Sequence, residues 1–186
     1  EAQSGCAEWI PLMKDRPKGK PFFLWLAALD PHRPYHPGII DKPSRSDEIK
    51  VAPYHPDTPA VRADYQLYYD EITRLDKYVG LVLDELEAQE VTENTLVLFI
   101  SDNGRPFPRD KTTLYDSGIK TPWIVRWPKT VKAGSTCQRL VSSVDIAKTF
   151  MILGGIKDPG PSFEGVDFST LLINPKKPIR DYAFAE

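Results

Sequence analysis

Cysteine, long apolar runs and surplus charge are what this sequence has least of. Only Cys6 and Cys137 occur among 186 residues. Two cannot build a disulfide framework, and spacing alone leaves open whether they meet; two unpaired thiols in a packed domain is the plain expectation. No apolar stretch comes near the roughly 20 residues that cross a bilayer as a helix, so no membrane span is expected. The 24 Lys+Arg nearly cancel the 26 Asp+Glu, leaving a net charge of −2. That balance gives no electrostatic footprint for nucleic acid or an anionic membrane surface. The chain opens on EAQSGCAEWI without an initiator Met or a secretion signal, and it closes on the strand-like DYAFAE with no terminator after it. A fragment cut from something longer is therefore expected.

What is abundant is proline, at 18 residues, roughly twice its average share. Long ordered loops between elements follow from that. The length suits one domain or a large piece of one, with enough residues for a real core. PFFLWLAAL (21–29) is a nearly continuous apolar run between two prolines, the pattern of a strand buried on both faces. Residues 38–58 read as a long loop. A helix then starts at Thr58 as cap and Pro59 as first helical residue. Its apolar positions, Val61, Tyr65, Tyr68, Ile72, Leu75, Val79, Val82, Leu83 and Leu86, carry it to about Gln89, with Arg62, Asp64, Arg74, Lys77, Asp84 and Glu87 on a solvated face. TLVLFI (95–100) and PWIVRWP (122–128) read as two more buried strands. A last helix begins at Ser142 or Ser143, has Asp145 early, and stops at Gly154–Gly155. The order predicts an α/β layered fold with a mostly parallel sheet flanked by helices.

In open α/β sheets, ligands gather at the carboxyl ends of strands. Two polar clusters stand there: Asp30, His32 and Arg33 after the first strand, and Asp102 and Asn103 after the second. Consecutive strand residues point to opposite faces, so aiming both Asp102 and Asn103 at one ion needs a sharp turn, which Gly104 permits. A carboxylate and an amide oxygen suit a hard cation, Ca²⁺ or Mg²⁺, although two oxygens fall short of the six to eight that Ca²⁺ takes. The phrase DNG is also a common turn signal. Lys111 follows in KTTLYDSG; a lone loop lysine is ordinarily solvated, but beside a metal it would hold the oxygens of an anionic ester. His32 would act as general acid or donate to the ester oxygen. His36 and His55 lie in proline-rich loops and receive no chemistry.

The ordered phrases PFFLWLAALDPHRP, YYDEITRLDKYVGLVLDELE, NTLVLFISDNG, KTTLYDSGIKTPWIVRWP and SSVDIAKTFMILGG, spread over residues 20–175, resemble a sulfatase of the alkaline-phosphatase superfamily. APYHPDTPAVRADYQLYYDEITRLDKYVGLVLDELE followed by SDNGRPFP is most similar to the heparan N-sulfatase (sulfamidase) branch and its bacterial relatives. The resemblance implies that Asp102 and Asn103 bind an active-site calcium, that Lys111 contacts the sulfate group, and that His32 contacts it near the leaving-group oxygen. At the Lys111 position the N-sulfatase branch resembles arginine, so this lysine follows the wider family. Sulfatases act through formylglycine, made from cysteine in a C-x-P-S-R phrase near the N-terminus. No such phrase occurs here. DKPSR (41–45) puts Asp41 where the cysteine would stand and lies on the wrong side of the PFFL strand; Cys6, followed by AEWI, also fails. The other acidic pair and the further Lys and His of the family are missing too. The resemblance thus casts 1–186 as the C-terminal portion of a sulfatase catalytic domain, truncated at both ends, with about 176–186 opening a C-terminal subdomain. It implies attack by a formylglycine hydrate on the sulfur of a sulfated sugar of glycosaminoglycan type, in an exported or lysosomal enzyme, with the fragment alone inactive. Two other readings stay open: a phosphodiesterase or phosphonate hydrolase of the same superfamily, and a non-catalytic sugar-binding or structural module with Trp25, Trp123 and Trp127 as stacking platforms.

Overall fold

A computed structural model describes residues 4–185. They form two units, one running to Val91 and including Arg105–Pro108, the other made of Thr92–Gly104 and the chain from Arg109 onward. Each is described by itself.

The first unit is organised by α2 (Pro59–Ala88), which follows a short helix α1 (Trp9–Asp15). The start of α2 is as its sequence dictates: Thr58 is extended, its hydroxyl accepts from the Val61 N–H at 3.3 Å, and Pro59 occupies the first turn. Its end is a Schellman motif built without glycine. Val91 N–H donates to Leu86 O and Glu90 N–H to Glu87 O, with Glu90 in the left-handed region at φ 58°. On one face of α2, Tyr65 packs with Ile49 and Phe107 against Tyr35, Val51, Val61, Tyr68 and Tyr69. Further along, Trp9 meets Tyr78 edge-on with ring centres 6.3 Å apart, and Gln89 Nε2 donates to Met13 O, which docks α1.

Residues 21–29 depart from expectation. They take no regular secondary structure and join no ladder among the described residues, and exposure alternates along them. Phe23 and Trp25 are 66% and 76% exposed. One face is therefore covered and the other is not, where burial on both was expected. An extended segment can bury both faces only when layers lie on each side of it, and none of the described elements supplies the second.

The second unit holds the sheet. β1 (Val97–Ile100) pairs with β2 (Trp123–Arg126), in the register Val97↔Arg126 to Ile100↔Trp123. The pairing is antiparallel, where parallel neighbours were expected; the chain returns through residues 101–122, which carry the one-turn helix α3 (Asp116–Ile119) and no long crossover helix laid along the sheet. Trp123 and Val125 share one face of β2, and with Leu96, Ile146 and Phe150 they cover Phe168, Leu171 and Leu172. Ile124, between them, is 59% exposed, the period-2 outcome of a sheet packed on one side. Helices α4 (Asp145–Leu153) and α5 (Ser169–Ile173) complete the unit. Helix α4 ends at Gly154 as its sequence indicates. Its start is held by Asp145, whose Oδ2 reaches back to the Ser142 N–H at 2.8 Å, rather than by a serine hydroxyl. Both cysteines are free thiols, Cys6 buried and Cys137 exposed.

Candidate functional site

Strand β1 delivers the chain into a turn whose hydrogen bonds are nearly all local. Asp102 Oδ1 accepts from the Asn103 N–H at 2.9 Å. Ser101 Oγ donates to Asn103 O at 2.9 Å, and Asn103 Nδ2 donates to Gly104 O at 2.7 Å. These bonds leave Asp102 Oδ2 and Asn103 Oδ1 without partners among the described residues. One carboxylate oxygen and one amide oxygen, on adjacent residues of a fixed turn, are the donor chemistry a hard cation takes. They amount to half a site: among the described residues no three His, Cys, Asp or Glu side chains gather to hold a metal.

Gly104 is required for a different reason from the one its sequence suggests. It does not sit at positive φ. A Cβ there would lie 2.1 Å from Ser117 O and 2.7 Å from Gly118 Cα, so the absent side chain permits close approach rather than an unusual backbone angle. The Gly104 N–H donates to Gly118 O at 2.8 Å. Gly118 is equally tight, since a Cβ on it would meet Thr113 O at 2.2 Å and Asp110 O at 2.4 Å. Through these two glycines the Asp102–Asn103 turn is pinned to the loop that carries Lys111.

That loop is strained. Arg109 and Thr112 stand at φ 69° and 67°, a region costly for any side chain and most of all for a β-branched one. Thr113 Oγ1 donates to Arg109 O and Asp110 O, Ser117 Oγ donates to Arg109 O, and the Arg109 guanidinium lies 4.2 Å over the Tyr115 ring. Between the two strained residues, Asp110 is fully buried while Lys111 is half-buried and makes no hydrogen bond or ion pair among the described residues. A cation held by its backbone with its ammonium unspent is arranged to meet an anion.

His32 belongs to the other unit. Its ring is exposed, and Nδ1 lies 2.6 Å from Arg33 O. A carbonyl only accepts, so Nδ1 carries the hydrogen and Nε2 is the nitrogen presented outward. Its neighbours have structural tasks. Arg33 forks onto the Asp64 carboxylate, donates to Pro106 O and lies over Tyr35; the Asp64 pairing is what raises its pKa most. Asp30 is buried and takes both Nε and Nη2 of Arg74. His55 is satisfied at both nitrogens, by the Tyr65 hydroxyl and by Pro108 O. Of the tryptophans weighed as platforms, Trp123 packs edge-on against Phe168 in the core and Trp25 is exposed. Trp127 lines an open apolar groove of about 370 Å³ with Leu153, Leu172 and Ile173, which contains none of the candidate residues.

Sequence reasoning missed one group. Arg74 was placed on a solvated face, yet its side chain is 12% exposed and is shared by Asp30 and Glu71, both more deeply buried. Ile72, read as a core position, is 38% exposed. The signal was present as two consecutive acids, Asp70 and Glu71, interrupting the apolar stripe of α2. Burial and the bond to Asp30 push the Glu71 carboxyl up to about 7.

A family model described as Sulfatase matches residues 5–156. Over 167 residues the chain is 38% identical to N-sulphoglucosamine sulphohydrolase of Homo sapiens, an alignment covering 77% of this chain and 33% of that protein. It is 39% identical over 114 residues to an ulvan-active sulfatase of Formosa agariphila, covering 61% of this chain and 19% of the relative. Among solved structures, one from a study of glycosaminoglycan metabolism by Bacteroides thetaiotaomicron superposes with a TM-score of 0.77 at 23% identity, over 92% of this chain and 39% of that one; at that identity the likeness is one of fold. The chain thus spans a third or less of the length of these two curated relatives.

Proposed function

Because the chain belongs to the sulfatase family, we propose that it is part of a calcium-dependent hydrolase of sulfated sugars, contributing half of the cation site and two contacts to the sulfate group. The observation that carries this is the double-glycine pin, which fixes two unspent oxygens and one unspent ammonium on neighbouring loops of a single unit. Asp102 Oδ2 and Asn103 Oδ1 would hold the ion, whose charge would polarise the sulfate oxygens when bound. Lys111 would neutralise a second sulfate oxygen, its backbone placed by the loop pinned to the Asp102–Asn103 turn. His32 would present Nε2, protonated, to the leaving oxygen or nitrogen. The nucleophile, a formylglycine, and the remaining ligands would come from sequence this chain does not contain. A glycosaminoglycan-type substrate fits the N-sulphoglucosamine sulphohydrolase relative; an exported or lysosomal setting is part of the same proposal. The same reading makes 21–29 a strand of a mostly parallel sheet, with its second face covered by sequence outside this chain.

Titration of the 186-residue chain with Ca²⁺, followed by amide NMR, tests the reading. Weak binding in the millimolar range is expected, with shifts confined to Ser101–Gly104 and lost in Asp102→Ala. Adding glucosamine N-sulfate should then move the Lys111 loop in the wild type and not in Lys111→Ala. Shifts centred elsewhere, or a tight stoichiometric calcium site, would sink it.

A further inference from the structure

We propose that Asp30, Glu71 and Arg74 form the positioning device of the His32 loop, and that one proton held between the two carboxyls decides how firmly that loop is fixed. This rests on the role given to His32 above.

The geometry is a closed three-part cluster. Arg74 donates from Nε to Asp30 Oδ2 at 2.8 Å and from Nη2 to Asp30 Oδ1 at 2.6 Å, while Nη2 also reaches Glu71 Oε2 at 2.9 Å. The side chains of Asp30, Glu71 and Arg74 are only 1%, 3% and 12% exposed. Asp30 is two residues before His32, and the His32 N–H closes the intervening turn on Leu29 O. The His36 backbone also acts on the Glu71 carboxyl, lowering its pKa. The loop is therefore held at its start by Asp30 on Arg74, with Arg33 on Asp64 as a second attachment.

Charge balance decides the rest. Two carboxylates face one guanidinium in a place that solvent barely reaches. Two negative charges at hydrogen-bond distance cannot both be held there cheaply, so the cluster is neutral only with a proton on one of them. Glu71 takes it, raised chiefly by burial and then by Asp30. Among the described residues, the other titratable groups near the cluster add no compensating charge: the Tyr35 phenol and the Cys6 thiol are both pushed up and so stay neutral, and Asp70, next along the helix, is spent on the Ser44 N–H. With the proton, Glu71 donates to Asp30 and Arg74 serves Asp30 in full. Without it, the two carboxylates compete for Arg74, and the Asp30 end of the His32 loop loosens.

The test uses the 186-residue chain and needs no catalysis. The Glu71 carboxyl carbon should titrate near neutral pH by ¹³C NMR, and the amides of Asp30 and His36 should report the same midpoint. Glu71→Gln, which imitates the protonated form, should erase that midpoint from both amides. Arg74→Lys, which keeps the charge but loses the fork, should speed hydrogen exchange across 30–36 tenfold or more, with the exchange of Ile146–Leu153 in the other unit unchanged. A Glu71 midpoint in the ordinary carboxyl range, an amide midpoint that survives Glu71→Gln, or loop exchange unmoved in Arg74→Lys would each overturn the proposal. Failure of the calcium and sulfate titrations would leave these readouts as they are, so the two readings fall separately.

Discussion

Each unit buries an arginine against an aspartate on a helix or beside one, and the two solutions differ in charge. In the second unit Arg180 meets Asp145, which is fully buried, and the carboxylate also accepts from the backbone N–H groups of Ser142 and Val166. One cation, one anion and two neutral donors leave the group balanced, tying two distant segments and the preceding turn to the start of α4. In the first unit Arg74 serves two carboxylates, Asp30 and Glu71. The first arrangement is a fastening. The second has a carboxylate to spare, and its excess can be removed only by a proton.

The largest effect expected from this contrast is at the balanced group. Asp145→Ala removes the anion and leaves Arg180 buried beside two orphaned amides, so denaturant unfolding of the second unit should show a loss of about 3–5 kcal/mol. A loss below ~1 kcal/mol would mean that Asp145 is no fastening.

The glycines give the next step of the comparison. Gly118→Ala in the second unit forces a methyl onto two backbone carbonyls, and about 1–3 kcal/mol should be lost, with faster hydrogen exchange in the Lys111 loop. Gly80 in the first unit meets nothing within 4 Å. It lies inside α2, so Gly80→Ala should raise stability by about 0.5–1 kcal/mol, read from the same denaturation curves. Equal effects at the two glycines would remove the case for the double-glycine pin.

The unbalanced group should reveal itself through pH. Glu71 has a folded-state pKa raised to about 7 against an ordinary value of 4.5. Between those values the folded chain binds more protons than the unfolded one. The stabilisation is complete below the ordinary value and disappears as pH rises through the folded one. Unfolding measured at pH 5.5 and 8 should show the wild type losing about 1–2 kcal/mol relative to Glu71→Gln across that interval. A constant difference between the two proteins would mean that Glu71 does not hold the proton.

The smallest effect expected is at the end of α2. Glu90 occupies the left-handed position where glycine is preferred, and Glu90→Gly should stabilise the first unit by a few tenths of a kcal/mol to ~1 kcal/mol in a thermal melt. A destabilisation would show that the Glu90 side chain contributes something beyond its backbone angle.

Much of this chain is legible before folding, though unevenly. Thr58, Pro59 and the apolar spacing place α2 within a residue at either end, and Gly154 stops α4. The DNG turn and a following lysine could be singled out as candidates. That the second requirement for Gly104 is the closeness of Ser117, and that Arg109 and Thr112 take left-handed angles around Lys111, could not be read. Neither is marked by a residue type that prefers such a place. The apolar runs at 95–100 and 122–128 were recognised as strands, but their antiparallel pairing was not, because direction depends on how the chain returns and not on either run.

What the sequence determined by itself is whatever a residue settles with neighbours a few positions away: the limits and cap of α2, the stop of α4, and the family to which the ordered phrases belong. Tertiary structure alone decided which charges are hidden. Arg74 looks like any surface arginine until Asp30, 44 residues earlier, is brought against it. Burial and partnership are properties of a meeting between distant segments, and nothing local to either one contains them.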